Sequence, residues 1–137
     1  MEVSAKVRLP VRVQQVWETV GEFKGLANWH PVIATLKAEN EGQRRRLALP
    51  DGSEVVEDLV SHNDSDRTYT YRIADAGPLP VRAYESTIKV ENAGDGQSVV
   101  IWSAQFEPVG NETVAEQTVK RIYEVGLENL KTLFRVV

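Results

Sequence analysis

Apolar and polar residues alternate from the start of the chain. In residues 2–9, Val3, Ala5, Val7 and Leu9 fall on one side, as in a half-buried β-strand. Pro10 ends that run and the period changes. Val13, Val16, Trp17 and Val20 share one face of a helix that Gly21 closes. A short helical turn is expected over 23–29, broken by Pro31. The period then returns to two: residues 33–39, 44–49, 54–63, 67–73, 81–92 and 97–108 read as strands, separated by turn-rich "NEGQ", "PDGS", "NDSD", "DAGPLP" and "AGDG". Connections this short make consecutive strands antiparallel. From residue 113 to 137 the pattern is helical again, with Ala115, Val119, Ile122, Gly126, Leu130 and Leu133 on one stripe and a capping box expected in "TVAE" at 113–116. Such a helix is about 37 Å long and seven strands span roughly 29 Å, so one helix can cross the whole sheet. The expected architecture is α+β, in the order β-αα-β6-α: a curved seven-stranded antiparallel sheet wrapped around a long C-terminal helix.

Strand parity places polar groups where a solid core has no use for them. One face of 81–92 carries Tyr84, Ser86, Ile88 and Val90. In 54–63 either face brings a carboxylate inward, Glu57 with Val55 and Leu59 or Asp58 with Val56 and Val60. Tyr69, Tyr71 and Ile73 fall together, as do Val100, Trp102, Ala104 and Phe106, and as do Arg45, Leu47 and Leu49. A buried unpartnered carboxylate costs several kcal/mol or takes up a proton. The set therefore points to a partly hydrated cavity of the small-molecule kind. The competing expectation is that Arg45 and Glu57 pair and close the core.

Composition narrows the function. The 137 residues suit a single domain, 1–137, with 42% hydrophobic and 26% charged residues. A net charge of −4 argues against a nucleic-acid surface. The run Arg44–Arg46 reads as a strand with two faces rather than a phosphate site. With no cysteine, disulfides, thiolate metal sites and a cysteine nucleophile are excluded. No signal peptide or membrane span is visible, and a cytoplasmic location is expected. The two histidines are not at ligand spacing, so no metal and no cofactor are expected. In "GLANWHP", Trp29 and Pro31 suit the wall of a pocket mouth. His30 lacks a nucleophile or orienting carboxylate in its motif, so a wall or hinge role is expected over catalysis. His62 is expected to be solvated, and Trp17, Tyr123 and Phe134 to be core. Gly126 in mid-helix implies a close approach, by Trp102 or by a ligand.

The stretches "GEFKGLANWHPVI", "RRLALPDGSEVVEDL", "GPLPVRAYESTIKVE" and "VVIWSAQFEP", in that order, resemble the bacterial branch of the SRPBCC superfamily. That superfamily includes START-related, Bet v 1-like and polyketide cyclase/dehydrase proteins, and this branch lies close to the abscisic acid receptors. The resemblance implies the helix-grip fold and a ligand cavity between sheet and long helix, with 49–53 ("LPDGS") and 76–80 ("AGPLP", including Pro80) as candidate gates. It selects Glu57 over Asp58 as the inward carboxylate and implies inward Tyr84 and Ser86. The receptors' cavity lysine has no convincing counterpart, since Lys37 is poorly placed, and Trp102 stands where they carry an inward glutamate. Abscisic acid is therefore not implied.

Two functions use the same residues. In a binding or transport module for a small hydrophobic molecule (lipid, polyketide, terpenoid or aromatic), Leu47, Leu49, Tyr71, Trp102 and Phe106 supply apolar surface. Glu57, Tyr84 and Ser86 orient the ligand, and Trp29, His30, Arg45, Pro80 and Gly126 complete the candidate set. In a metal-free cyclase/dehydratase-type enzyme, Glu57 is the general base and Tyr84 or Arg45 stabilises an enolate. The absence of a nucleophile–base pair or a second acid favours binding. A third reading makes the pocket vestigial and the loops an interface for a partner or a homodimer.

Overall fold

The computed structural model describes residues 1–135. In chain order the elements are β1 (Glu2–Leu9), α1 (Val13–Val20), a 3₁₀ turn (Phe23–Asn28), β2 (Thr35–Glu39), a second short 3₁₀ turn (Asn40–Gly42), β3 (Arg44–Ala48), β4 (Glu54–Asn63), β5 (Thr68–Asp75), β6 (Val81–Asn92), β7 (Ser98–Pro108) and α2 (Glu112–Leu133). The strands form one seven-stranded sheet in the order β1-β7-β6-β5-β4-β3-β2, each neighbouring pair antiparallel. The N-terminal strand closes against the last one, and α2 packs across that end, over β1 and β7. This is the α+β helix-grip arrangement.

Where the boundaries differ from the pattern reading, hydrogen bonds explain the shift. β2 begins at Thr35 rather than 33 because residues 32–33 turn around His30. The Val32 N–H bonds His30 Nδ1 at 3.2 Å and the Ile33 N–H bonds the His30 carbonyl at 3.2 Å. Leu49 leaves β3 for a turn, donating its N–H to the Ser53 carbonyl at 2.8 Å. The cap of α2 is Asn111 and not the "TVAE" box: its Oδ1 accepts the Val114 N–H at 3.0 Å, satisfying one of the free amides of the first turn. The expected last two helical residues, 136 and 137, lie outside the described residues.

The triple-arginine strand is cross-linked to its acidic neighbours. Arg44 forms a two-pronged pair with Asp58 at 2.6 and 2.9 Å, and Arg46 pairs with Glu39 at 3.1 Å and Glu54 at 3.4 Å. Only Arg45, between them, turns inward and is fully buried. No helix among the described residues is long and apolar enough to cross a membrane.

Candidate functional site

Beneath α2, at the end of the sheet where β3 to β6 curve away, a cavity of about 250 Å³ remains open inside the core. Its interior is hydrocarbon from Leu26, Leu47, Val55 and Val119. Six half-buried aliphatic side chains stand on its outer side: Val32, Ile33, Leu49, Ile73, Leu79 and Ile122. The polar atoms come from His30, Glu57, Tyr71, Tyr84, Trp102 and Tyr123, all buried. Leu49 and Leu79 bring both candidate gate loops to this rim.

His30 is held by backbone on both sides. Nδ1 accepts the Val32 N–H, so the proton sits on Nε2, which donates to the Ile122 carbonyl of α2 at 2.7 Å. Burial lowers the imidazole pKa; the Ile122 bond opposes this and the Arg45 charge adds to it. A neutral ring with both nitrogens committed has no proton to exchange with a ligand. It is a wall, and it also explains Gly126. A Cβ there would stand 2.5 Å from His30 Cδ2 and 3.1 Å from Trp29 Cζ3. The close approach therefore comes from His30 and Trp29, and neither Trp102 nor a ligand is responsible.

Arg45 lies outside the cavity, in a closed slot behind it. Its guanidinium carbon is 4.1 Å from the Phe23 ring centre and 4.7 Å from that of Tyr71. Nη1 donates to the Phe23 carbonyl at 2.8 Å and to Tyr69 Oη at 3.3 Å. Nε at 2.8 Å and Nη2 at 2.7 Å crowd onto a single oxygen of Glu57, Oε1, and only Nε is aligned for a hydrogen bond. Pairing was expected to close the core; the pair forms, yet Glu57 still lines the cavity. Its Oε2 makes no hydrogen bond among the described residues. Burial pushes the Glu57 carboxyl up against the pull of Arg45, while a guanidinium stays charged in any protein.

The other polar groups form a chain. Trp102 Nε1 donates to Tyr71 Oη at 3.1 Å, and Tyr71 Oη lies 3.4 Å from Tyr84 Oη. Tyr84 Oη contacts Tyr123 Oη, which bonds Ser86 Oγ at 2.7 Å. Ser86 Oγ donates to the Ser103 carbonyl at 2.9 Å. Burial holds the Tyr71, Tyr84 and Tyr123 hydroxyls well above the ordinary phenol range.

Of the expected ligand contacts, His30, Leu47, Leu49, Glu57, Tyr71, Tyr84 and Trp102 surround the cavity. Six do not. Trp29 packs behind Trp102, its ring tilted by 56° with centres 5.5 Å apart, and Arg45 is behind Glu57. Ser86 sits behind Tyr123, Phe106 packs on Tyr84, and Gly126 is covered by His30. Pro80 is outside the lining, its carbonyl taken by the Val109 N–H at 2.9 Å. The helix residues Val119, Ile122 and Tyr123 were missed because cavity-facing and core-facing positions share one apolar stripe. Ile33 was missed because it read as the start of a strand, and Val32 because it fell between the Trp29–Pro31 motif and that strand. His62 is exposed as expected, but its Nε2 is tied to the Gly21 carbonyl at 2.8 Å. Among the described residues no group of three metal-ligating side chains occurs.

Solved structures resemble the chain over nearly its whole length. An uncharacterised protein from Bacillus thuringiensis is 38% identical, with a TM-score of 0.93 and 98% of each chain covered. The protein XoxI from Bacillus cereus is 36% identical, with a TM-score of 0.93, covering 97% of this chain and 94% of its own. Ara h 8.0201 shares the fold at 18% identity, with a TM-score of 0.78 and coverage of 98% and 97%. No functionally curated protein matches. The family described as polyketide cyclase / dehydrase and lipid transport matches residues 1–135. A hollow helix-grip core, near-complete structural likeness and that match agree: the chain belongs to the polyketide cyclase/dehydrase and lipid transport family.

Proposed function

We propose that the protein binds or carries a small hydrophobic ligand in the cavity between the sheet and α2. The observation that carries this reading is the 250 Å³ void itself, which an apolar core of this size would otherwise fill at crystal-like density. A mostly hydrocarbon lining with a few convergent polar atoms is the usual make-up of a ligand site. A cavity of about 150 Å³ accommodates benzene, so this one suits a molecule of roughly ten non-hydrogen atoms. A long-chain lipid needs the rim to open.

The test is calorimetric titration with cumene and with para-isopropylphenol, using the wild type and Val119→Trp, which puts an indole in place of a lining valine. The wild type should saturate with at least one probe, and the variant should bind at least tenfold more weakly. Failure of both probes to bind, or equal affinity in the two proteins, contradicts the proposal.

An enzymatic reading uses Glu57 Oε2 as a general base. It is favoured by the raised carboxyl facing the void and opposed by the Arg45 ion pair, which weakens the base. Glu57→Gln abolishes turnover of an active substrate in that reading and changes only affinity in a carrier.

A further inference from the structure

We propose that the cavity selects ligands that donate a hydrogen bond, compact alcohols, phenols or amines, and rejects carboxylates and acceptor-only molecules. This rests on the binding reading above and adds to it the chemical class of the ligand.

The hydroxyl chain has fixed ends. An indole Nε1–H can only donate and a backbone carbonyl can only accept. Trp102 therefore donates to Tyr71, and Ser86 gives its proton to the Ser103 carbonyl. Ser86 Oγ must then accept from Tyr123, Tyr123 from Tyr84, and Tyr84 from Tyr71. Every hydroxyl proton is spent on the next member of the chain. What Tyr71, Tyr84 and Tyr123 can still offer the cavity is a lone pair each. His30 offers nothing, since its one ring N–H donates to the Ile122 carbonyl and its other nitrogen accepts from the Val32 N–H. The remaining polar atom is Glu57 Oε2, with no protein partner among the described residues; Arg45 Nε and Nη2, 2.8 and 2.7 Å from Oε1, hold the group as a carboxylate and Oε2 therefore as an acceptor. The buried indole Nε1 of Trp29 is an unpartnered donor, but Trp29 does not line the void. The polar side of the cavity is thus all acceptor and carries a carboxylate. An incoming acceptor finds no proton there, and an incoming anion meets Glu57. A ligand O–H or N–H finds a charged acceptor in hydrocarbon surroundings, where such a bond is at its strongest.

The test is a matched series titrated by calorimetry at neutral pH: cumene, para-isopropylphenol, para-isopropylanisole and para-isopropylbenzoate. The phenol should bind about tenfold or more tightly than the anisole and cumene, and the benzoate most weakly. A second variant reports on the direction of the chain. In Tyr84→Phe the Tyr71 proton loses its acceptor and turns toward the void, so the anisole gains severalfold while the phenol does not. Equal affinity of phenol and anisole in the wild type, or tightest binding of the benzoate, overturns the inference and leaves the cavity reading standing. No gain for the anisole in Tyr84→Phe also overturns it. If none of the four binds, the cavity reading itself has failed, and this inference with it.

Discussion

His30 and the Arg45–Glu57 pair are the two buried polar devices whose energetics can be measured directly. Burial depresses the His30 pKa below its ordinary 6.5, helped by the Arg45 charge and resisted by the Ile122 carbonyl. Protonation therefore favours the unfolded chain. The stability that the neutral ring contributes is present above pH 6.5 and is lost as pH falls through the lowered folded value. Urea unfolding from pH 7.5 downward should show this loss well before the exposed carboxylates titrate, and His30→Gln should remove it. A profile unchanged by the substitution contradicts the assignment. For the ion pair, folding favours the protonated Glu57, so its ionised form at neutral pH contributes no net stability. Arg45→Met alone strands a carboxylate in hydrocarbon and should cost about 3–5 kcal/mol. Arg45→Met with Glu57→Leu should recover most of that loss, and a double variant as unstable as the single one contradicts this account.

At the scale of elements, the sheet's irregularities decide what faces the void. β6 carries a register shift between Arg82 and Glu85, with Ala83 at φ +50°, so Val81 and Tyr84 are both buried although they differ in parity. β4 shifts between Val56 and Glu57, and Val55, Val56 and Glu57 are all buried. Alternation alone identified Tyr84, Ser86, Ile88 and Val90 as inward, and all four are buried. It could not tell lining from backing, because Ser86 and Tyr84 share a face yet only Tyr84 reaches the cavity. Helix α2 meets Trp29 and His30, just after the first 3₁₀ turn, through Gly126, where His30 is clamped by two backbone hydrogen bonds. Gly126→Ala gains up to about 1 kcal/mol of helix propensity but forces a Cβ to 2.5 Å from that ring. A net destabilisation of about 1–2 kcal/mol is expected in denaturant titration, and a neutral or stabilising outcome contradicts the close packing.

Seen as a whole, the molecule is a sheet that wraps one long helix and leaves the β3–β6 end of its core unfilled. The antiparallel run from β2 to β7 and the presence of a long last helix were legible because periodicity and turn residues record them; the pairing of β1 with β7 was not, because no short connection joins them. The void was legible only indirectly, through Glu57, Tyr71 and Tyr84 on faces shared with Leu47 and Trp102. Its helical wall and rim were not, because Val119, Ile122 and Tyr123 read as ordinary core and the turn at 32–33 depends on a side chain distant from any strand pattern. Three indole N–H groups now sit at graded distances from that void. Trp102 bonds Tyr71 on its wall, Trp29 packs tilted behind Trp102, and Trp17 bonds Asp64 outside it at 2.9 Å. The most direct test follows these resonances by ¹H–¹⁵N NMR during titration with para-isopropylphenol. The Trp102 signal should shift saturably while that of Trp17 stays fixed. A Trp102 signal that does not move, or one that moves no more than Trp17, would contradict a ligand site inside the core.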